Sequence, residues 1–204
     1  MIEACRPGAV WEFYGSTEGQ FTVCSPDEWA ARPETVGRAR PGRRLSTDPD
    51  GTIWCEVPDY ARFEYWHDAA KTARAWRDGA FTVGDLGRLH DDGYLYLDGR
   101  RDDLVISGGM DVYPLEVERA LLEHPAVIDA AVFGVADQRW GQRVCAAVIF
   151  DPGETVPPGT LEAWVSDRLA GYKRPKELIS VDAIPVSPTG KVRRSELAAE
   201  FGVE

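Results

Sequence analysis

The sequence is poor in the patterns that hold metals or carry a chain across a membrane. Its four cysteines form no C-x-x-C pair and its three histidines are scattered, which excludes a zinc site of ordinary spacing and favours reduced cysteines. The longest apolar run, residues 144–150, is too short to span a bilayer, and the first residues contain no apolar leader segment. We therefore expect no membrane span and a cytoplasmic protein.

Positive charge is also scarce. The 204 residues include 34 acidic against 23 basic side chains, for a formal net charge of −11. A nucleic-acid binder needs a positive face to meet phosphates, so we expect no nucleic-acid partner. Only 4 of the basic residues are lysines, against 19 arginines, which draws attention to each lysine. A content of 44% hydrophobic and 28% charged residues is ordinary for a globular chain of one or two domains.

The first hundred residues are predicted to form short strands broken by turns. Ser25, Pro26 and Glu28 have the pattern of a capped helix start. Asp68 is placed to cap a second helix that runs to Trp76. Residues 37–50 show no periodicity and are predicted to be a loop. Strands are predicted at residues 11–14, 52–57 and 94–97.

From about residue 101 the pattern changes to longer elements. Helices are predicted to begin at Pro114, Thr160 and Ser195. The predicted strands span residues 104–106, 127–135, 144–150 and 178–181. The order β-α-β-β-α-β-α over about 100 residues is that of a compact α+β domain.

Two segments in the first part carry side chains suited to a nucleotide. Residues 14–19 (YGSTEG) place an aromatic ring, a hydroxyl and a carboxylate in one glycine-bounded turn. Such a set could stack a base, contact a phosphate and bind Mg²⁺ through hard oxygens. Asp85, in the sequence GDLG, could accept hydrogen bonds from a ribose diol. Each segment alone is more typical of a polar surface turn.

Two later segments also contain candidate functional residues. Residues 99–109 (GRRDDLVISGG) set charged side chains beside a glycine pair, which indicates either a boundary where the chain swivels or a charged surface linker. Residues 185–194 (PVSPTGKVRR) put Lys191 on a glycine-containing turn just before a helix. A lysine there could reach a phosphate or carboxylate that develops negative charge, although a solvated basic turn has the same composition.

In this order and spacing, the four segments resemble the C-terminal half of the adenylate-forming superfamily, which holds acyl-CoA synthetases, luciferases and peptide-synthetase adenylation domains. The resemblance covers nearly the whole chain from Tyr14 onward. The form SGG-x-x-x-YP-x-EVE is closest to the fatty-acyl and aryl-CoA ligases, which suggests a setting in fatty acid metabolism. The matching stretches are YGSTEG, GDLGRLHDDGYLYLDGRRDDLVISGGMDVYPLEVE, GVADQRWGQRVCAAVIF, LAGYKRP and PVSPTGKVRR.

The resemblance implies an acyl-CoA synthetase that joins a carboxylic acid to ATP with Mg²⁺, releases pyrophosphate, and passes the acyl group from acyl-AMP to CoA. By similarity, Tyr14 would stack on adenine, Thr17 would contact phosphate and Glu18 would bind Mg²⁺. Asp85 would hold the ribose hydroxyls, with Arg100 as a second ribose contact.

The other implied roles lie further along the chain. Lys191 would bridge the carboxylate and the α-phosphate during adenylation. Asp102 would be the hinge about which a small domain turns between the two half-reactions. Gly108 and Gly109 would line the path of the pantetheine arm of CoA, where the absence of a Cβ permits close approach.

The implied fold class is α+β, with residues 1–100 as the β-rich end of the large AMP-binding domain and residues 101–204 as the complete small lid domain. The family's glycine-rich phosphate loop and most of its acyl pocket would lie upstream of Tyr14, and only thirteen residues precede it. We therefore expect a C-terminal portion that has little or no ligase activity alone. The identity of the acid is not encoded in these residues.

Alternatives remain open. The acceptor could be a carrier-protein thiol, although the glycine pair and the YP-x-EVE helix favour CoA. The chain could also be a split subunit or a non-catalytic nucleotide-binding module that needs a partner, either the missing N-terminal portion or a second copy in a homo-oligomer. The set Thr17, Glu18, Asp85, Arg100 and Lys191 is intact, which argues against a decayed remnant.

Overall fold

A computed structural model describes residues 8–154 and 156–202. The chain divides into two compact units, Met1–Arg101 and Asp102–Glu204. Both combine strands with helices, and the predicted α+β class is confirmed. No helix in the described ranges has the length and apolarity needed to cross a membrane.

The first unit consists of three small antiparallel sheets. They are the ribbon β1-β2, the sheet β3-β4-β10-β9 and the sheet β5-β6-β8-β7. Aromatic and aliphatic side chains of the two four-stranded sheets, including Phe81 and Leu95, form one core with Tyr14 and Phe21, which flank the ribbon. The elements are β1 Gly15–Ser16, β2 Gly19–Gln20, β3 Thr22–Val23, α1 Pro26–Ala31, β4 Thr35–Ala39, β5 Arg44–Thr47, β6 Ile53–Glu56, α2 Ala69–Ala75, β7 Trp76–Arg77, β8 Ala80–Phe81, β9 Asp85–Leu89 and β10 Tyr94–Arg100.

Both predicted helices of this unit are present and begin at their predicted caps. The Ser25 side chain accepts from the backbone N–H of Glu28, and the Glu28 carboxylate accepts from that of Ser25, which completes a capping box at α1. Asp68 caps α2 by accepting from the backbone N–H of Lys71 at 2.8 Å. These bonds join residues three apart, so the local sequence is enough to specify them.

Several strand predictions for this unit are wrong. Residues 37–50 are not a loop, because they contain the end of β4 and all of β5. The predicted strand at 11–14 is reduced to one isolated bridge between Glu12 and Cys24. Asp85 begins a strand, β9, instead of lying in a turn. Strand β4 forms because β10, far along the chain, pairs with it. Strands β5 and β9 each pair with the next strand along the chain, but no local periodicity marks them.

The second unit is a single sheet with helices on both faces. The strand order is β12-β11-β14-β13, and β15 pairs with β14 in parallel. The elements are β11 Val105–Ser107, β12 Met110–Val112, α3 Pro114–Leu122, β13 Val127–Asp137, β14 Gly141–Phe150, α4 Thr160–Arg168, β15 Glu177–Ser180 and α5 Arg194–Phe201. Strand β12 is absent from the prediction, and the hairpin β13–β14 extends further than predicted.

The long hairpin β13–β14 separates two cores. Alternate side chains of it, such as Val132, pack under α3 and α4. The side chains between them, such as Phe133, pack under α5 around Leu197. Because both faces are covered, these strands are apolar almost without interruption, which is why they stand out in the sequence.

Candidate active site

The predicted Thr17 and Glu18 lie at the tip of the ribbon β1-β2. The pairing of Ser16 with Gly19 leaves only these two residues in the turn, and Thr17 is exposed. A Cβ on Gly15 would lie 2.6 Å from the Cα of Gln20 across the ribbon. Glycine is therefore required where the strands approach so closely.

Glu18 is oriented by an aromatic partner from a distant part of the chain. The Tyr65 hydroxyl donates to Glu18 Oε1 at 2.8 Å, and Lys71 Nζ lies 3.8 Å from the centroid of the Tyr65 ring. Burial alone would raise the pKa of Glu18, but the hydrogen bond from Tyr65 and the charge of Lys71 lower it. Burial and the bond to Glu18 raise the pKa of Tyr65 to about 12. Glu18 is thus an oriented carboxylate that is anionic at neutral pH.

The predicted ribose contacts meet at the open ends of β9 and β10. Asp85 begins β9, Arg100 ends β10, and the two are directly opposite each other across the strand pair. Arg100 Nε lies 3.2 Å from Asp85 Oδ1. Tyr14 directly precedes the ribbon β1-β2, and its hydroxyl donates to Asp85 Oδ2 at 2.7 Å. The fold therefore brings together Tyr14, Asp85 and Arg100.

One oxygen of Asp85 is suited to a ribose hydroxyl. Asp85 is buried, at 8% exposure, and its Oδ1 atom accepts no hydrogen bond within the described chain, because the nearby Arg100 lacks hydrogen-bond geometry. A buried carboxylate oxygen without a donor carries a free-energy cost that a hydroxyl donor would remove. Burial and the charge of Asp85 raise the pKa of Tyr14 far above its usual value, so its hydroxyl stays a donor.

Tyr14 also has a structural reason to be aromatic. Its ring is buried and packs against Phe21 with centroids 5.0 Å apart. The ring belongs to the core of the unit as well as to the cluster at Asp85. Stacking of Tyr14 on adenine stays a prediction.

In the second unit, the glycine pair forms the turn between β11 and β12. Gly108 and Gly109 have φ of +60° and +78°, the left-handed region that a two-residue hairpin turn of this kind uses. A Cβ on Gly108 would lie 2.9 Å from the Trp140 ring, and the Gly108 N–H donates to the Trp140 carbonyl at 2.8 Å. This local geometry explains the glycines without CoA, so their contact with pantetheine stays a prediction.

Lys191 lies in a tight turn that is closed by its own backbone. The Ser187 N–H donates to the Lys191 carbonyl and the Gly190 N–H to the Ser187 carbonyl, both at 2.8 Å. The Lys191 side chain is exposed, and within the described ranges no hydrogen bond or ion pair holds its ammonium. The turn borders an open cavity of about 660 Å³, which Asp102 also lines. Asp102 itself lies in a 3₁₀ turn, Arg101–Asp103.

A preformed multidentate metal cage does not occur in the described residues, where no group of three or more His, Cys, Asp or Glu side chains could hold a metal. Mg²⁺ at a nucleotide site does not require one, because it takes one or two carboxylates and completes its shell with phosphates and water. The single anionic carboxylate of Glu18 at an exposed hairpin tip fits that requirement.

Comparison with known proteins shows which proteins this chain is similar to. The family of the AMP-binding enzyme C-terminal domain matches residues 116–191. Indoleacetate–CoA ligase of Aromatoleum aromaticum is 34% identical over 91% of this chain, and 2-succinylbenzoate–CoA ligase of Geobacillus kaustophilus is 36% identical over 97%. The ATP-bound structure of MatB from Rhodopseudomonas palustris superposes with a TM-score of 0.86 at 34% identity over 98% of this chain.

The chain belongs to the adenylate-forming superfamily and corresponds to the C-terminal portion of its members. Its relatives within that superfamily include acyl- and aryl-CoA ligases. The chain spans only 39% and 43% of the two ligases and 42% of the MatB chain.

Replacing Tyr65 by Phe is expected to raise the pKa of Glu18. The variant removes the hydrogen bond that favours the charged carboxylate, so its titration midpoint should move up towards the ordinary value of 4.5. Because the pKa of folded Glu18 is lowered, its stabilising contribution is present above the unfolded pKa and is lost as pH falls through the folded pKa. The variant should therefore lose less stability on acidification.

Carbon-detected NMR titration of the Glu18 carboxylate measures this shift. Tyr60→Phe is the control, because Tyr60 is 90% exposed. An unchanged Glu18 midpoint in Tyr65→Phe would show that the Tyr65 hydroxyl does not orient the carboxylate.

Proposed function

We propose that this chain supplies the nucleotide-facing end and the lid domain of an AMP-forming acyl- or aryl-CoA ligase. In the reaction, the carboxylate of the acid attacks the α-phosphorus of ATP and releases pyrophosphate, and the thiol of CoA then displaces AMP. The observation that carries the proposal is the buried oxygen of Asp85, which lacks a donor and lies between Tyr14 and Arg100. The CoA ligases among the relatives support the same reaction class.

The residues of the first unit would hold the nucleotide. Asp85 Oδ1 would accept from a ribose hydroxyl, while Tyr14 keeps the other oxygen in place and Arg100 adds a second ribose contact. Thr17 and Glu18, at the exposed ribbon tip, would face the phosphates and Mg²⁺. When bound, Mg²⁺ would neutralise part of the negative charge on the phosphates of ATP. The oriented, anionic state of Glu18 supports that assignment.

Lys191 would act in adenylation. Its ammonium is exposed and without an ion-pair partner in the described ranges, so no existing bond must break before it reaches a substrate. A lysine between the acid and the α-phosphate would stabilise the negative charge that develops as the new bond forms. Asp102 would serve as the hinge for the second half-reaction, in which Gly108 and Gly109 would line the approach of CoA.

The boundary between residues 100 and 101 would separate the two functional parts. No glycine-rich phosphate loop precedes Tyr14 in these 204 residues, so we propose that adenylation requires further sequence. That sequence could belong to the same polypeptide or to a partner. A cytoplasmic location and a homo-oligomer also stay predictions.

The isolated chain is expected to form no acyl-AMP. The test incubates the purified 204 residues with ATP, Mg²⁺, CoA and 2-succinylbenzoate, and measures pyrophosphate release and thioester. A fusion that places the upstream portion of the Geobacillus kaustophilus ligase before this chain should restore both half-reactions. Acyl-AMP formation by the isolated chain would contradict the requirement for further sequence, and an inactive, folded fusion would contradict the proposed function.

Asp85→Asn is expected to weaken ATP binding in that fusion. The loss of a charge-assisted hydrogen bond to ribose should raise the KM for ATP by about tenfold or more. Asp98→Asn is the matched control, because Asp98 also pairs with an arginine, Arg88, across β9 and β10. Equal KM values for the two variants would remove Asp85 from the nucleotide site.

Lys191→Ala is expected to separate the two half-reactions. Adenylation in the fusion should fall by about 10²-fold or more, as when one preorganised charge donor is removed. Transfer of a preformed acyl-AMP to CoA should stay near the parent rate. Lys176→Ala, another exposed lysine of the same unit, should leave adenylation unchanged. Equal losses in both half-reactions of Lys191→Ala would refute this role.

A further inference from the structure

Within residues 8–154 and 156–202, strand β13 lies at the edge of its sheet and pairs only with β14. At Val132, two side chains take the place of a neighbouring strand. Glu118 Oε1 accepts from the Val132 N–H at 2.8 Å, and Arg194 Nε donates to the Val132 carbonyl at 2.9 Å. Glu118 and Arg194 also pair with each other at 2.6 Å. The result is a closed, largely buried ring of hydrogen bonds on the strand edge.

The same guanidinium has a third partner. Arg194 Nη1 lies 3.0 Å from Asp103 Oδ2, and the Arg194 side chain is only 19% exposed. Asp103 directly follows the proposed hinge residue Asp102. Arg194 therefore connects the interior of the second unit, through Glu118 and Val132, to the first residues after the hinge.

Arg194 also follows the Lys191 turn closely. It begins α5, three residues after Lys191. The turn is closed by the Arg193 N–H, which donates to the Pro185 carbonyl at 2.9 Å. None of residues 187–191 is buried, so burial does not fix the turn. Arg194, which is held by its ion pairs with Asp103 and Glu118, lies directly beside the turn and restrains it.

The residue before the hinge is anchored in the first unit. The Arg101 N–H donates to the Gly84 carbonyl at 2.9 Å, and its guanidinium lies 2.5 Å from Asp50 Oδ2. Between Arg101 and Asp103, the Asp102 side chain makes no hydrogen bond or ion pair with the described residues. Each neighbour of Asp102 is thus held within its own unit.

We propose that Arg194 is a positioning residue that ties the Lys191 turn to the segment at Asp103, so that the turn and the hinge-side segment move as one body. The inference rests on the proposed function in assigning adenylation to Lys191. Arg194 acts through Lys191 and does not touch the substrate.

Hydrogen exchange of the 204-residue chain tests the physical link. Asp103→Asn removes the charge of the hinge-side arm and leaves the pair of Arg194 and Glu118 intact. Exchange at the hydrogen-bonded amides of Gly190 and Lys191 should rise by about fivefold or more. Exchange at those two amides that stays at the parent rate would overturn the link.

Two variants of Arg194 separate positioning from folding. Arg194→Gln should raise exchange in the turn, but it could also lower stability throughout the unit. Arg194→Lys keeps a cation for Glu118, yet a single ammonium cannot reproduce the fork that reaches three acceptors. Arg194→Lys should therefore restore the parent midpoint of urea unfolding, while amide exchange in the Lys191 turn stays above the parent rate. If Arg194→Lys restored both the urea midpoint and the parent exchange rate, Arg194 would have only a structural role and the proposal would be overturned.

Lys173→Gln is the matched control. Lys173 pairs with Glu116 on the same helix, α3, at 2.6 Å, and its side chain is 20% exposed. It has no contact with Asp103 or with the turn in the described residues. In Lys173→Gln, the amides of Gly190 and Lys191 should exchange at the parent rate. A rise equal to that in Asp103→Asn would overturn the specific link between Asp103 and the turn.

The catalytic consequence is measured in the fusion. Arg194→Lys should lower the kcat of adenylation by about tenfold with little change in the KM for ATP, because Lys191 is misplaced while the nucleotide contacts remain. An unchanged kcat would overturn the positioning role. Failure of Lys191→Ala to affect adenylation would instead overturn the proposed function, while the exchange result would stand.

Discussion

Each unit contains a buried carboxylate whose need for hydrogen-bond donors organises the residues around it. Glu118, in the second unit, has its partners in Val132 and Arg194. Asp85, in the first, receives Tyr14 at one oxygen and leaves the other without a hydrogen-bond donor. Buried charge is costly unless donors surround it. The Glu118 carboxylate therefore joins elements of the fold, whereas one oxygen of Asp85 is left able to accept a hydrogen bond from a ligand.

The elements that could be predicted are those whose signals are local. Helices α1 and α2 follow from caps that join residues three apart, and β13 and β14 follow from nearly unbroken apolar runs. Strand β4 could not be predicted in this way, because it pairs with the distant strand β10. Strands β5 and β9 were missed because they show no local periodicity, although each pairs with the next strand along the chain. Gly37 shows the difference. A Cβ there would lie 2.2 Å from the Val23 carbonyl oxygen, a constraint that no window around residue 37 contains.

The same distinction divides the candidate site. Motif resemblance pointed to Tyr14, Asp85 and Arg100, and the register of β9 with β10 brings them together. The orienting roles of Tyr65 and Arg194 could not be predicted, because their partners lie 47 and up to 91 residues away. Sequence motifs identify groups that contact a ligand. The residues that orient those groups depend on tertiary structure, and their identity emerges only when the chain is folded.

The side chains on the edge of β13 also affect how the second unit meets other molecules. An open strand edge offers unpaired N–H and carbonyl groups to which a strand of another polypeptide can add, which is a common route to aggregation. At Val132 both groups are occupied by Glu118 and Arg194. An incoming strand would have to displace a buried ion pair before forming its first bonds there. The ring of hydrogen bonds is therefore a barrier to templated self-association at that position.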